Sequence, residues 1–201
     1  RILTINSAVF IIMTWVGGSI LLPSSETLMQ FGVREPVTIA QGEVWRFFTP
    51  IFVHIGVIHF LFNTSALYYI GYQIEAIMGR GWYLLIYFLA GIIGNVASGL
   101  FTPAISAGAS GAIFGLAGAG FLLERIVGNN IEELTGRRPR RSVYAGIVII
   151  NVGLGFIIPG VDNGAHLGGL VTGMLVTYCA LRMRPNRLLP QARSRAIAIF
   201  V

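Results

Sequence analysis

Charged side chains are scarce in this chain: they make up 11% of its 201 residues, whereas 55% of the residues are hydrophobic. A water-soluble domain carries about a quarter charged residues. One aqueous core could not bury so much apolar surface, so we expect lipid to be the solvent. No stretch of ordinary polar composition is long enough to form a soluble domain. The composition therefore predicts a single integral membrane domain over residues 1–201.

Lysine is absent and cysteine is nearly so. All 14 basic residues are arginines, and the formal net charge is +6. The arginines lie at the ends of apolar runs, as membrane topology requires, which argues against a nucleic-acid partner. The single cysteine, Cys179, excludes an intrachain disulfide and a cysteine-rich metal site. Since it lies in an apolar run, we interpret it as a packing residue.

Apolar runs that approach the length needed to cross a bilayer, about 20 residues, recur along the chain. We predict an all-α polytopic bundle of six transmembrane helices, at 2–23, 57–78, 82–100, 110–123, 143–158 and 165–181. The first run is too long for a signal-peptide core and is predicted to be a permanent span. Residues 24–52 are predicted to lie at the membrane interface, and 124–142 to form a loop. Residues 182–201 are predicted to be a basic cytoplasmic tail whose end could begin a further span.

The arginines divide unequally between the two sides of this predicted bundle. With six spans, both termini lie on one side together with every arginine except Arg34 and Arg46. The positive-inside rule therefore predicts cytoplasmic termini. The first loop and the starts of the second, fourth and sixth spans then face the outer side.

Candidate chemical groups gather on that outer side. His54 and His59 lie at the start of the second span, Ser110 at the start of the fourth, and His166 at the start of the sixth. Ionisable groups at membrane depth are costly, which makes them candidates for function. A zinc site formed by the histidines is an alternative, but the chain has no His-Glu-x-x-His pattern and no carboxylate partner for them. We therefore predict no metal and no other cofactor.

Ser110 has small neighbours on both sides, in the sequence Gly-Ala-Ser-Gly at 108–111. These leave the hydroxyl open, and a helix that begins here would direct free N–H groups and its positive dipole end at the serine. Such groups would stabilise an oxyanion. A serine among glycines can also merely permit close helix contact, so the motif alone does not decide between the two roles.

His166 shares a helix face with Gly169 and Gly173. A matching face of small residues in the fourth span consists of Ala107, Gly111, Gly115 and Ala119. Packing of the two faces would bring His166 to Ser110, where a neutral imidazole can act as general base toward the hydroxyl. For an isolated histidine, an interhelical hydrogen bond is the alternative role.

His59 and Asn63 are four residues apart and project from one helix face. Both can donate a hydrogen bond, so with the Ser110 amide they could hold the negative oxygen of a tetrahedral intermediate. Polar contact between helices, worth roughly 1 kcal/mol, is the alternative.

In this order and on these spans, the motifs resemble the rhomboid family of intramembrane serine proteases over nearly the whole chain. The motifs that carry the resemblance are Trp45-Arg46; His54, His59 and Asn63 at the family's His-x4-His-x3-Asn spacing; Gly108-Ala109-Ser110-Gly111; and Ala165-His166 followed by Gly169 and Gly173.

The resemblance implies a Ser–His dyad without an acid, with Ser110 as nucleophile and His166 as base. It implies an oxyanion hole formed by His59, Asn63 and the Ser110 amide, beside Gly108. The substrates that the resemblance implies are transmembrane proteins that have a segment of low helix propensity near the outer surface of a prokaryotic inner membrane. A non-catalytic membrane-protein scaffold or chaperone and a small transporter are the alternatives. The intact serine and histidine argue against the first, and polar groups near one surface rather than at mid-membrane argue against the second.

The remaining residues would support this site. Phe114 departs from the pattern, because bacterial relatives often carry a tyrosine there that stacks on the catalytic histidine. Phenylalanine can still stack but lacks the hydroxyl. The segment around Trp45 and Arg46 resembles the family's first-loop hairpin, which lies partly in the membrane. His54, at the outer start of the second span, and the glycines Gly169 and Gly173 are also predicted to be supporting residues.

Overall fold

The protein is described by a computed structural model that covers residues 1–101, 103–135 and 143–183. Most of these residues are helical and none forms a β-strand, so the predicted all-α class is confirmed for the part of the chain described. The helices are α1 (Ile2–Gly17), α2 (Ser25–Gln30), α3 (Pro36–Ala40), α4 (Gly56–Ala66), α5 (Tyr72–Met78), α6 (Arg80–Phe101), α7 (Ser110–Thr135), α8 (Val143–Ile157) and α9 (Asn163–Met183).

Two of these helices, α6 and α9, are each long and apolar enough to cross a membrane by themselves. The helices α1 and α8 are also apolar but shorter. Large apolar side chains face outward along the bundle, and Trp15, Phe62 and Phe156 are 84%, 74% and 80% exposed. A protein in water rarely exposes so many large apolar side chains, whereas lipid is a good solvent for them.

The helix ends differ from the predicted spans in two places. Helix α1 ends at Gly17, earlier than the predicted end at residue 23, because Gly18 adopts a left-handed conformation with φ of 65°. Helix α7 begins at Ser110 but continues to Thr135, so the first part of the predicted 124–142 loop is helical. Hydropathy marks where a lipid-compatible run ends, but a helix can continue into water beyond it. Residues 136–142 and 184–201, with most of the predicted tail and the end that could begin a further span, lie outside the described residues.

Helices α4 and α5 form one helical unit, joined by a π-helical segment at Leu67–Gly71. This unit carries His59 and Asn63 in its first half. The π segment inserts an extra residue into the turn, so it changes which face the second half presents to the bundle.

Helices α6, α7 and α9 form the centre of the bundle, and their contacts depend on glycine. A Cβ atom added to Gly169 would lie 2.0 Å from the carbonyl oxygen of Gly111. One added to Gly173 would lie 1.9 Å from the carbonyl oxygen of Gly115. Separations this short leave no room for a methyl group, so the backbones of α7 and α9 touch directly. The predicted small-residue faces therefore pack on each other through Gly111 and Gly115 on α7. Ala107, which was predicted to belong to the same face, lies before α7 begins and packs elsewhere.

Residues 24–52 fold into a compact layer beside the bundle, and this layer includes two 3-10 turns at Val44–Phe47 and Thr49–Phe52. The layer is fastened to the loop before α7 by a two-way backbone pairing between Arg34 and Ser106, with N–O distances of 2.9 and 3.0 Å. The Asn95 amide on α6 also donates to the Phe47 carbonyl at 2.9 Å. Both attachments satisfy backbone groups of an irregular segment, which lipid could not do.

Substitution of Gly173 by alanine tests the direct contact between α7 and α9. We expect Gly173→Ala to lower the free energy of unfolding in detergent by about 1–3 kcal/mol, because the added methyl must separate two backbones. Thermal unfolding of the purified protein measures the effect. The matched control is Gly146→Ala on α8, where an added Cβ would meet nothing within 4 Å. Equal melting temperatures for the two variants would contradict the packing described here.

Candidate active site

Ser110 and His166 occupy neighbouring positions in the contact between α7 and α9. A Cβ atom placed on Gly111 would lie 3.3 Å from the carbonyl oxygen of Ala165. Ser110 directly precedes Gly111, and His166 directly follows Ala165. The glycine faces thus bring together the two helix turns that carry Ser110 and His166, which are far apart in sequence.

The imidazole of His166 is held by an aromatic neighbour on the opposite helix. The Phe114 ring lies parallel to it, with centroids 4.1 Å apart and an angle of 8° between the planes. Only 7% of His166 is exposed, and its Nδ1 is buried without a hydrogen-bond partner among the described residues. Stacking therefore sets the plane of the ring, as expected for Phe114.

The edge of the His59 ring that contains Nε2 faces Gly108, two residues before Ser110. A Cβ atom on Gly108 would lie 2.7 Å from both Cε1 and Nε2 of the ring. Only glycine fits here, and the φ of 129° at this residue also disfavours any other side chain. The Ile55 amide donates to Nδ1 of His59 at 3.2 Å. Since Nδ1 is an acceptor, a neutral His59 carries its proton on Nε2, which makes this atom a donor toward the site.

Asn63 lies one turn after His59 and is largely buried, with 7% exposed. Its Nδ2 donates to the His59 carbonyl at 2.9 Å. An amide nitrogen has two hydrogens, so this bond leaves a second donor on the same atom. The Asn63 side chain can therefore donate a second hydrogen bond to a substrate oxygen while it keeps its bond to the His59 carbonyl.

His54 is fully buried behind His59 rather than next to His166. The two imidazole centroids are 5.5 Å apart, and the Phe60 ring meets His54 edge-on at 5.5 Å. Its Nδ1 lies 3.2 Å from the Phe52 carbonyl. The structure therefore gives His54 a packing role against the back of His59. Within the described ranges, no three histidine, cysteine or acidic side chains are grouped so that they could hold a metal ion.

Arg46 braces the layer formed by residues 24–52, whereas its neighbour Trp45 is 53% exposed. The guanidinium Nη1 of Arg46 donates to the carbonyls of Met29 and Val33 at 3.1 and 3.0 Å. The Glu43 carboxylate accepts from Nε of the same side chain. One buried arginine thus joins three parts of the first loop.

A second buried polar group, which was not predicted from the sequence, is formed by Arg34, Ser98, Ser106 and Asp162. Arg34 and Ser98 are 0% exposed and Ser106 is 8% exposed. Burial opposes ionisation of Asp162, but hydrogen bonds from both serines and the Ala165 amide, together with the charge of Arg34, outweigh it. They hold the pKa of Asp162 below its ordinary value. In the sequence, the one feature that could have indicated this group is the position of Asp162, four residues before His166.

The fold and this site define the class: a helical integral membrane protein whose glycine-packed core gathers serine, histidine and asparagine side chains at one end. The Rhomboid domain family model matches residues 41–183. The chain belongs to the rhomboid family, as its resemblance predicted.

This chain aligns with different fractions of the length of its individual relatives. The rhomboid protease GluP of Bacillus subtilis is 46% identical over 164 residues, which are 82% of this chain and 31% of GluP. RHOMBOID-like protein 1 of Arabidopsis thaliana is 39% identical over 169 residues, 83% of this chain and 42% of that protein. YdcA of Bacillus subtilis is 34% identical over 151 residues, 74% of this chain and 73% of YdcA. The chain thus spans less than half the length of the first two relatives.

Loss of the Arg46 side chain should loosen the layer formed by residues 24–52. We expect Arg46→Ala to destabilise the first loop by about 1–3 kcal/mol, the cost of leaving buried carbonyl groups unpaired. Limited proteolysis in detergent, followed by mass spectrometry, should then show faster cleavage within residues 24–52. The control is Gln41→Ala, which removes an exposed side chain of the same segment. Identical cleavage rates in the two variants would show that Arg46 does not brace the loop.

Proposed function

We propose that this chain is an intramembrane serine endopeptidase that cleaves transmembrane segments of other membrane proteins by a Ser–His dyad. The observation that supports the proposal is the direct contact between α7 and α9, the two helices whose first turns carry Ser110 and His166. Family membership and the name of the relative GluP, a rhomboid protease, support it. The partners are membrane-protein substrates and the bilayer itself.

In the first step, the Ser110 Oγ attacks the carbonyl carbon of the scissile peptide bond while His166 accepts the hydroxyl proton. The carbonyl oxygen takes the electron pair and becomes an oxyanion. Nε2–H of His59, the spare N–H of Asn63 and the Ser110 amide are the donors that stabilise this charge. The amide is suited to this role because α7 begins at Ser110 and its first N–H groups have no partner within the helix.

In the second step, the tetrahedral intermediate collapses and the C–N bond breaks. The imidazolium of His166 gives its proton to the departing amine, which leaves an acyl ester on Ser110. Water then attacks the ester carbonyl and loses its proton to His166. The Ser110 oxygen leaves and takes that proton, so a carboxylic acid is released and the dyad returns to its starting state.

The topology that fits this chemistry is a single domain of six spans over residues 1–201 with cytoplasmic termini. The six spans are α1, the unit formed by α4 and α5, α6, α7, α8 and α9. The arginine distribution supports this orientation in a bacterial inner membrane. The site then opens near the outer surface, under the layer formed by residues 24–52.

A fluorophosphonate probe tests the dyad directly. In detergent, the wild-type protein should be labelled at Ser110, because only a serine activated by a base reacts at a useful rate. Ser110→Ala and His166→Ala should both lose the label while they keep the wild-type melting temperature. A folded wild-type protein that is not labelled would instead favour a non-catalytic scaffold.

The oxyanion donors are tested by His59→Ala and Asn63→Ala. Each variant should cleave a single-span substrate in proteoliposomes about 10 to 1,000-fold more slowly, the scale of one lost donor. His54→Ala should have a smaller effect, since this residue only packs behind His59. If His54→Ala lowered turnover as much as His166→Ala, that result would count against His166 as the base.

A further inference from the structure

The segment that leads into α9 is tied to the rest of the molecule by one carboxylate. The Oδ1 atom of Asp162 accepts from the Ala165 amide at 3.0 Å, and the Asp162 carbonyl accepts from the His166 amide at 3.1 Å. Asp162 therefore caps the helix, and both its side chain and its backbone hold the turn that carries His166.

The Asp162 carboxylate also accepts hydrogen bonds from two other segments, α6 and the loop before α7. It accepts from the hydroxyl of Ser98, a fully buried residue on α6. The Ser106 hydroxyl in the loop before α7 also donates to the carboxylate. Ser106 lies four residues before Ser110, just as Asp162 lies four residues before His166. The same carboxylate thus contacts the segments that lead to both members of the dyad.

Arg34 supplies the opposite charge from the first loop. Its side chain is fully buried, and it is attracted to Asp162. Its Nη2 donates to the Ala104 carbonyl, and its backbone pairs with Ser106. A buried charge in a membrane protein needs a partner, and each of these two groups provides one for the other.

We propose that Asp162 is a positioning residue for the reaction: with Arg34 it fixes the first turn of α9 so that His166 keeps its register with Ser110. This inference rests on the proposed protease function. It follows from the geometry that a loss of Asp162 should affect chemistry more than substrate binding. Misplacement of a reacting group by about 1 Å can cost about 100-fold in rate, whereas a distant binding surface is unaffected.

The first test separates kcat from KM for cleavage of a single-span substrate in proteoliposomes. Asp162→Ala should lower kcat about 100-fold and change KM by less than about 3-fold. Asp162→Asn keeps a cap acceptor but loses the charge, so its kcat should lie between those of the wild type and the alanine variant. The double variant Arg34→Gln/Asp162→Asn should have a kcat only slightly below that of the less active single variant, because the two residues form one unit.

The matched control is Thr172→Ala, which removes another buried polar side chain from α9. The Thr172 hydroxyl bonds only within its own helix, to the Gly168 carbonyl at 2.7 Å. Its kcat should remain at the wild-type value even if its melting temperature falls. A wild-type kcat in Asp162→Ala would overturn the proposal, and so would a kcat loss of equal size in Thr172→Ala.

A second measurement does not depend on activity. Hydrogen exchange followed by mass spectrometry should show faster exchange of the Ala165 and His166 amides in Asp162→Ala but not in Thr172→Ala. If these two amides exchanged at the wild-type rate in Asp162→Ala, Asp162 would not fix the first turn of α9 and the proposal would be overturned. If the wild type cleaved no substrate, the protease function would fail. The exchange result would then still decide whether Asp162 fixes this part of α9.

Discussion

The direct backbone contact between α7 and α9 is the constraint on which the rest of this structure depends. Lipid provides no hydrophobic drive for helices to associate, so close packing must supply much of the attraction. Gly169 and Gly173 allow that packing, because any side chain there would overlap the carbonyl oxygens of α7. The contact aligns the start of α7 with the start of α9, and it thereby sets the distance between Ser110 and His166.

The buried arginines near the site donate hydrogen bonds mainly to backbone carbonyl groups. The layer at residues 24–52 and the loop before α7 are irregular, and in a membrane their carbonyl and amide groups need partners within the protein. Arg46 satisfies two carbonyls of the layer, and Arg34 satisfies one in the loop. Arginine suits this task because its planar group offers five donors in fixed directions. A chain that is only 11% charged thus uses buried arginines to hold the irregular segments around its site.

Much of the fold and of the candidate site could be predicted. The all-α class, the start of α7 at Ser110 and the small-residue faces depend on local patterns. The end of α1 and the extension of α7 could not be predicted from hydropathy, since a glycine turn and a helix beyond the lipid have little effect on it. The group around Asp162 also escaped prediction, because its members come from four separate segments. None of them belongs to a spaced motif.

The sequence by itself determined that this is a helical membrane protein of the rhomboid family, and it supplied the candidate residues. Composition and spacing along one chain are sufficient for that. Only the tertiary structure decided that Nε2 of His59 is the donor facing Gly108, since this follows from the Ile55 amide at Nδ1. It alone placed Asp162 against Ser98 and Arg34 as well. Both facts depend on which atoms meet after folding, and helix periodicity carries no information about contacts between distant segments.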